Sequence, residues 1–83
     1  MDTLTQIKKT LRDSLNLGQR AEQLTAESGL IGAIPEFDSM AVVNVVAALE
    51  DEFGITFSDD ELSAETFATL GSLTRLVNEK LGT

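Results

Sequence analysis

The chain has 83 residues, a formal net charge of −8, no cysteine and no histidine. That composition excludes a disulfide framework, thiolate or imidazole metal sites and a Ser-His-Asp nucleophile. A chain this short is expected to form one domain, residues 1–83, burying about 60% of its unfolded surface. No apolar stretch approaches the roughly 20 residues that span a bilayer. Met1-Asp2-Thr3 lacks the basic-then-apolar layout of a signal peptide, so a soluble, cytoplasmic monomer is the expectation. All six basic residues (Lys8, Lys9, Arg12, Arg20, Arg75, Lys80) sit near the two ends, and eleven carboxylates lie between Ala21 and Thr74 without a compensating cation. Nucleic acid is disfavoured as a partner, because phosphate binding needs a basic patch. Basic protein surfaces are favoured, although acids also serve solubility alone. The clusters Glu50-Asp51-Glu52 and Asp59-Asp60-Glu61 lack the alternating spacing, central glycine and terminal glutamate of a calcium loop, and no metal site is expected.

A first helix is predicted from a capping box, Thr3 with Gln6, to a stop at Gly18. Leu4, Ile7, Leu11 and Leu15 recur along it at helical spacing. Residues 18–37 read as a long connection with a short turn near Ala21–Thr25. Leu24, Leu30, Ile31, Ile34 and Phe37 are there to pack it against the helices. A second helix is predicted from about Ser39 to Phe53, ending at Gly54. Val42, Val45, Val46, Leu49 and Phe53 form its core stripe, leaving Met40, Val43 and Ala47 on another side. Ser58 and Glu61 open a short helix, with Asp59, Asp60 and Glu61 at the positive end of its dipole and Leu62 and Phe67 as inward anchors. The last helix is predicted from near Thr69 to Leu81 on the stripe Leu70, Leu73, Leu76, Val77 and Leu81, with Gly82 beyond it and Lys80 complementing its dipole. The fold class is therefore all-α: a bundle of three main helices and one short helix, with a long loop between the first two.

Asp38-Ser39-Met40 places a hydroxyl at the start of the second helix. No base in this chain can activate Ser39, so no catalytic residue is assigned and enzymatic activity is not expected. Asp38 reads as the helix cap and Ser39 as the first helical residue, facing solvent beside unpaired backbone N–H groups. Those donors and the helix dipole favour an attached phosphodiester. Taken alone, a serine or aspartate opening a helix is most often only a cap.

In the order and spacing of its parts, the chain resembles the acyl carrier protein family along nearly its whole length. The parts are the capped first helix, the long loop, Asp38-Ser39-Met40, the ALEDEFGI segment at 48–55, the short acidic helix and the closing Leu-rich helix. The resemblance implies that Ser39 carries 4′-phosphopantetheine, installed from coenzyme A by a magnesium-dependent phosphopantetheinyl transferase that also reads Asp38. Acyl or aminoacyl groups would then travel as thioesters on the arm between ligase, synthase and acyltransferase enzymes. It further implies that the helix after the serine meets basic patches on partners, which maps here to Met40, Val43, Asn44, Ala47, Glu50 and Asp51. Fatty-acid-synthesis carriers often have acids two and five residues after the serine, where this chain has Ala41 and Asn44. The DSM spelling looks like D-alanyl and other specialised carriers, and GAIPEFDSMAVV resembles small carriers encoded with exosortase and exopolysaccharide systems. Fatty acid and polyketide synthesis, D-alanylation and exopolysaccharide assembly stay open as pathways. A different class, an unmodified acidic helical adaptor, would bind through Met40 and Val43 and be indifferent to Ser39.

Overall fold

Ile7, Leu11 and Leu15 lie one turn apart along helix α1 (Thr3–Leu15), and all three are buried. Their stripe packs against both α2 (Ser39–Phe53) and α3 (Leu70–Leu81), so α1 is the helix around which the other two are arranged. The structure, a computed structural model, describes residues 2–82. Two short 3-10 helices, Gly18–Gln23 and Asp59–Glu61, sit in the connections. Among the described residues no strand forms, and the sole β-type pairing is a bridge between Gly29 and Thr69. The all-α architecture expected from periodicity is the one observed.

Both ends of α1 depart from expectation. Asp2, not Thr3, is the cap: its carboxylate accepts from the Thr5 amide at 2.8 Å, and Thr3 is already helical. A carboxylate serves better than a hydroxyl there because it also meets the helix dipole. The hydrogen bond from Thr5 holds the Asp2 carboxyl below its ordinary range. At the other end Asn16 adopts the left-handed conformation, φ 56°, and stops the helix before Gly18. Asparagine tolerates that region better than most residues with a side chain. Gly18, also at positive φ, instead opens the first 3-10 helix, so the short turn falls at 18–23 and not at 21–25.

The long connection is tied down by backbone hydrogen bonds to the approach and first turn of α3. Leu30 N donates to Ala68 O and Ile31 N to Phe67 O, both at 3.1 Å, while Leu70 N donates to Ser28 O at 2.9 Å and Gly71 N to Ala26 O at 2.7 Å. These bonds satisfy polar groups on both segments and drive Leu30 into the core. Side-chain alternation along this extended stretch sends Ile31 outward, 43% exposed, contrary to its expected packing role. Phe37 and Phe67 meet edge to face, with centroids 5.8 Å apart and rings at 84°, and seal the space between the loop and the helix ends.

The stretch between α2 and α3 is held by Glu61. Its carboxylate accepts from the Ser58 amide at 2.8 Å, as the predicted capping box requires, and pairs with Lys80 of α3 at 2.6 Å. Lys80 also lies over the Phe57 ring, 5.5 Å from its centroid. The expected anchor Phe67 is buried, but Leu62 is 41% exposed. The short helix has only three residues, and Leu62 follows it at φ −86°, ψ 58°, off the inward face. α3 begins as predicted, with Thr69 and Ser72 exchanging side-chain hydrogen bonds to each other's amides at 3.0 and 3.1 Å. Leu70, Leu73 and Val77 are buried, whereas Leu81, the last residue of the helix, is exposed.

Two outcomes test this frame. A Cβ on Gly71 would come within 2.8 Å of the Ala26 carbonyl oxygen, which is backbone and cannot swing aside. Gly71→Ala should therefore cost about 1–3 kcal/mol in urea unfolding, and a wild-type midpoint would contradict the close contact. Lys80, then the Ser58 amide, hold the Glu61 carboxyl below its ordinary value of 4.5. A lowered carboxylate contributes stability in full above that ordinary value and loses it as pH falls through the folded-state value. The urea midpoint of Glu61→Gln should thus lie below wild type at pH 7, and the gap should close on acidification below 4.5.

Candidate functional site

Asp38 has extended backbone, φ −99° and ψ −172°, and its Oδ1 accepts from the Ala41 amide at 2.9 Å. It is the cap of α2, as expected. Phe37, buried immediately before it, and Ala41, buried three residues later, fix the direction in which the chain enters the helix. Ser39 is consequently the first helical residue, and it is exposed. The Ala41 amide is taken by the Asp38 side chain and the Val42 amide by the Asp38 carbonyl at 3.0 Å. The amides of Ser39 and Met40 have no such acceptor among the described residues, and they point past the helix end. A phosphodiester on the Ser39 oxygen would meet two free donors and the positive end of a fifteen-residue helix. The residues present fit that group.

The Ser39 hydroxyl has no catalytic surroundings. The chain has no histidine, and no group of three or more Asp or Glu among the described residues is arranged to hold a metal ion.

Beyond Ser39, α2 divides much as its periodicity predicts. Val45, Val46 and Leu49 are buried, while Val42 and Phe53 pack against the core only in part. The core face is centred on Ala41, Val45 and Leu49, slightly rotated from the expected stripe, since Ala41 is buried and Val42 only in part. Met40 is 74% and Val43 64% exposed, and Asn44, Ala47 and Asp51 are exposed beside them. Glu50 differs from the other residues expected on this face. It is half-buried, and its Oε2 accepts from the Phe57 amide at 2.8 Å, so it braces the chain leaving α2. A carboxylate spaced seven residues from the amide that donates to it leaves no mark in helical periodicity. Exposed Ile31 and Leu62 add apolar surface that the sequence had placed inside.

Residues 5–77 match a family model described as the phosphopantetheine attachment site. The chain is also similar to the solution NMR structure of a holo acyl carrier protein from Nitrosomonas europaea. The two share 54% sequence identity and a TM-score of 0.93 over the full length of both chains.

Charge introduced on the two sides of α2 separates surface from core. Met40→Glu and Val43→Glu should leave unfolding within about 0.5 kcal/mol of wild type, since neither side chain is packed. Val46→Glu should lose enough stability to unfold the chain at 25 °C, because it buries a carboxylate without a partner. Circular dichroism melts of the three variants decide this, and equal losses would mean that the faces are misassigned.

Proposed function

This chain belongs to the phosphopantetheine-bearing acyl carrier protein family, and we propose that Ser39 is the residue that carries the arm. The observation that carries this reading is an exposed hydroxyl at the first position of α2, beside two free amides and a capping aspartate. Members of the family carry their cargo and do not catalyse its chemistry. When attached, 4′-phosphopantetheine supplies a thiol, which this cysteine-free chain cannot provide itself.

The chain's own residues then have separable tasks. Asp38 fixes the helix start through the Ala41 amide, so that Ser39 projects into solvent where a transferase reaches it. The Ser39 and Met40 amides stabilise the phosphate negative charge once it is present. Met40, Val43, Asn44, Ala47 and Asp51 form the surface offered to the phosphopantetheinyl transferase and to acyl- or aminoacyl-handling enzymes. Exposed apolar side chains supply contact area, while the surrounding acids steer a basic partner surface into place. Glu50 contributes to that field, but its hydrogen bond to Phe57 makes it first a structural brace.

Ala41 is buried, so the position two residues after the serine presents a small packed side chain to the core and no charge to a partner. With Asn44 also neutral, acidity on this helix is concentrated at its far end, in Glu50, Asp51 and Glu52. That distribution supports a carrier for a specialised acyl or aminoacyl pathway over the housekeeping fatty-acid carrier. The proposed unit is one carrier domain over residues 1–83, acting as a cytoplasmic monomer. No helix among the described residues is long and apolar enough to cross a membrane.

Coexpression with a broad-specificity phosphopantetheinyl transferase, followed by intact-protein mass measurement, tests the attachment. Wild type should gain the mass of one arm and Ser39→Ala none. A wild-type chain that stays unmodified, or a variant that is modified equally, overturns the proposal. Partner binding that survives Ser39→Ala but is lost with Met40→Glu and Val43→Glu, in a chain that takes no arm, would instead support the adaptor reading.

A further inference from the structure

Between Arg20 and Arg75 the sequence holds no lysine or arginine, and from residue 28 to residue 49 its only acids are Glu36 and Asp38. Both acids lie just before Ser39, and the fold treats them differently. Asp38 turns its Oδ1 to the Ala41 amide, so its charge rests on the positive end of α2. Glu36 lies outside that helix, and Arg20 reaches it from the first 3-10 helix, 16 residues away in sequence. The hydrogen bond from Arg20 holds the Glu36 carboxyl below its ordinary value of 4.5.

The pair is not what fixes the chain here. Leu17 and Ala21, before and after Arg20, are buried, as is Phe37 next to Glu36, and Phe37 N donates to Ile34 O at 2.9 Å. Both side chains of the pair are well exposed, and a solvated pair of that kind adds little to stability. Its effect falls on the field around the serine. Glu36 precedes Ser39 by three residues, so their Cα atoms are at most about 11 Å apart. That is close to the distance, about 8 Å, over which charges are felt at physiological salt. Ala41 and Asn44, on the near turns of α2, are neutral. With Arg20 in place, neither acid beside Ser39 is left without a positive counterpart.

Resting on the attachment at Ser39, we propose that Arg20 is a positioning residue for arm transfer: by neutralising Glu36 it keeps the approach to the serine open to a polyanionic donor of the coenzyme A class. In that transfer the Ser39 oxygen bonds to the phosphorus that bears the pantetheine. The bond from that phosphorus to the adenosine bisphosphate breaks with its electron pair on the departing oxygen, and the hydroxyl proton passes to a base of the transferase. Arg20 takes no part in those bond changes. It removes a repulsion that the donor would meet as the two proteins dock. Two unit charges about 10 Å apart in water change an encounter ratio about twofold. Against a bare Glu36, a donor with about two to four net negative charges would lose roughly three- to sevenfold at low salt, about twofold at 0.15 M and almost nothing at 1 M.

The test follows arm transfer by intact mass on the full chain, with coenzyme A, magnesium and a broad-specificity transferase, at about 0.01, 0.15 and 1 M ionic strength. Arg20→Gln should lower kcat/KM by roughly three- to sevenfold at the lowest salt, mainly through KM, and converge on wild type at the highest. Arg20→Lys, which keeps the charge, should stay near wild type. So should the double variant Arg20→Gln with Glu36→Gln, while Glu36→Gln alone should equal or exceed wild type. Lys9→Gln removes the same charge from an exposed position on α1 and should lose less than Arg20→Gln. Equal losses in Arg20→Gln and Glu36→Gln, with none recovered in the double variant, would make the pair a structural tether. Equal losses in Arg20→Gln and Lys9→Gln would make net charge the cause. Either result overturns the proposal, as does transfer to Arg20→Gln at or above the wild-type rate, and each leaves attachment at Ser39 standing. A wild-type chain that takes no arm overturns both.

Discussion

Four backbone hydrogen bonds between residues 26–31 and residues 67–71 are the constraint on which this molecule depends. A loop as long as the one after α1 would ordinarily be mobile, since its backbone groups are well served by water and ordering it costs entropy. Here the pairing recovers hydrogen bonds on both segments while placing Leu30 and Phe67 in the interior. Gly71 permits the closest of these approaches, and no residue with a Cβ fits there without displacing the chain. With the loop fixed, Phe37 is fixed against Phe67, and the start of α2 follows directly. The position of Ser39 is in this sense set from the far end of the chain.

That arrangement separates rigidity from function along α2. Its inner side is locked by Ala41, Val45, Val46 and Leu49, and its outer side carries no structural duty at Met40 or Val43. A carrier must present one helix face to several enzymes in turn, so side chains that hold nothing together are the ones free to be read by partners. Ser39, the proposed attachment residue, sits where the two sides meet, at a helix end whose free amides are an asset only to a bound anion.

Charge is handled differently in the two halves of the molecule. Acids that would repel one another in the central segment are partly neutralised by contacts made across long sequence distances. Arg20 meets Glu36, and Lys80 meets Glu61. Glu36 and Glu61 are both held below their ordinary pKa, chiefly by those cations. Among the described residues, the acids left without a cation partner include Asp51, Glu52, Asp59 and Asp60, a field suited to a basic partner. Arg20 and Lys80 thus brace the acidic segment from its edges and leave its outward face negative.

Periodicity and caps alone determined the helical class, the span Ser39–Phe53 with its Asp38 cap, the start of α3 at Thr69 and the outward placement of Met40 and Val43. These follow from interactions within one turn or one helix face, and such interactions are written in adjacent residues. The α1 cap was misplaced by one residue because Asp2 and Thr3 both suit that position, and a choice between neighbours depends on backbone angles. The inward or outward fate of Ile31, Leu62 and Leu81 was decided by tertiary packing, since each lies in a loop or at a helix end where no repeat defines a face. The bracing role of Glu50 and the seam between the loop and α3 likewise arise only when distant segments meet. A linear pattern records which residues share a surface, but which surface covers which is settled by the closing of the chain upon itself.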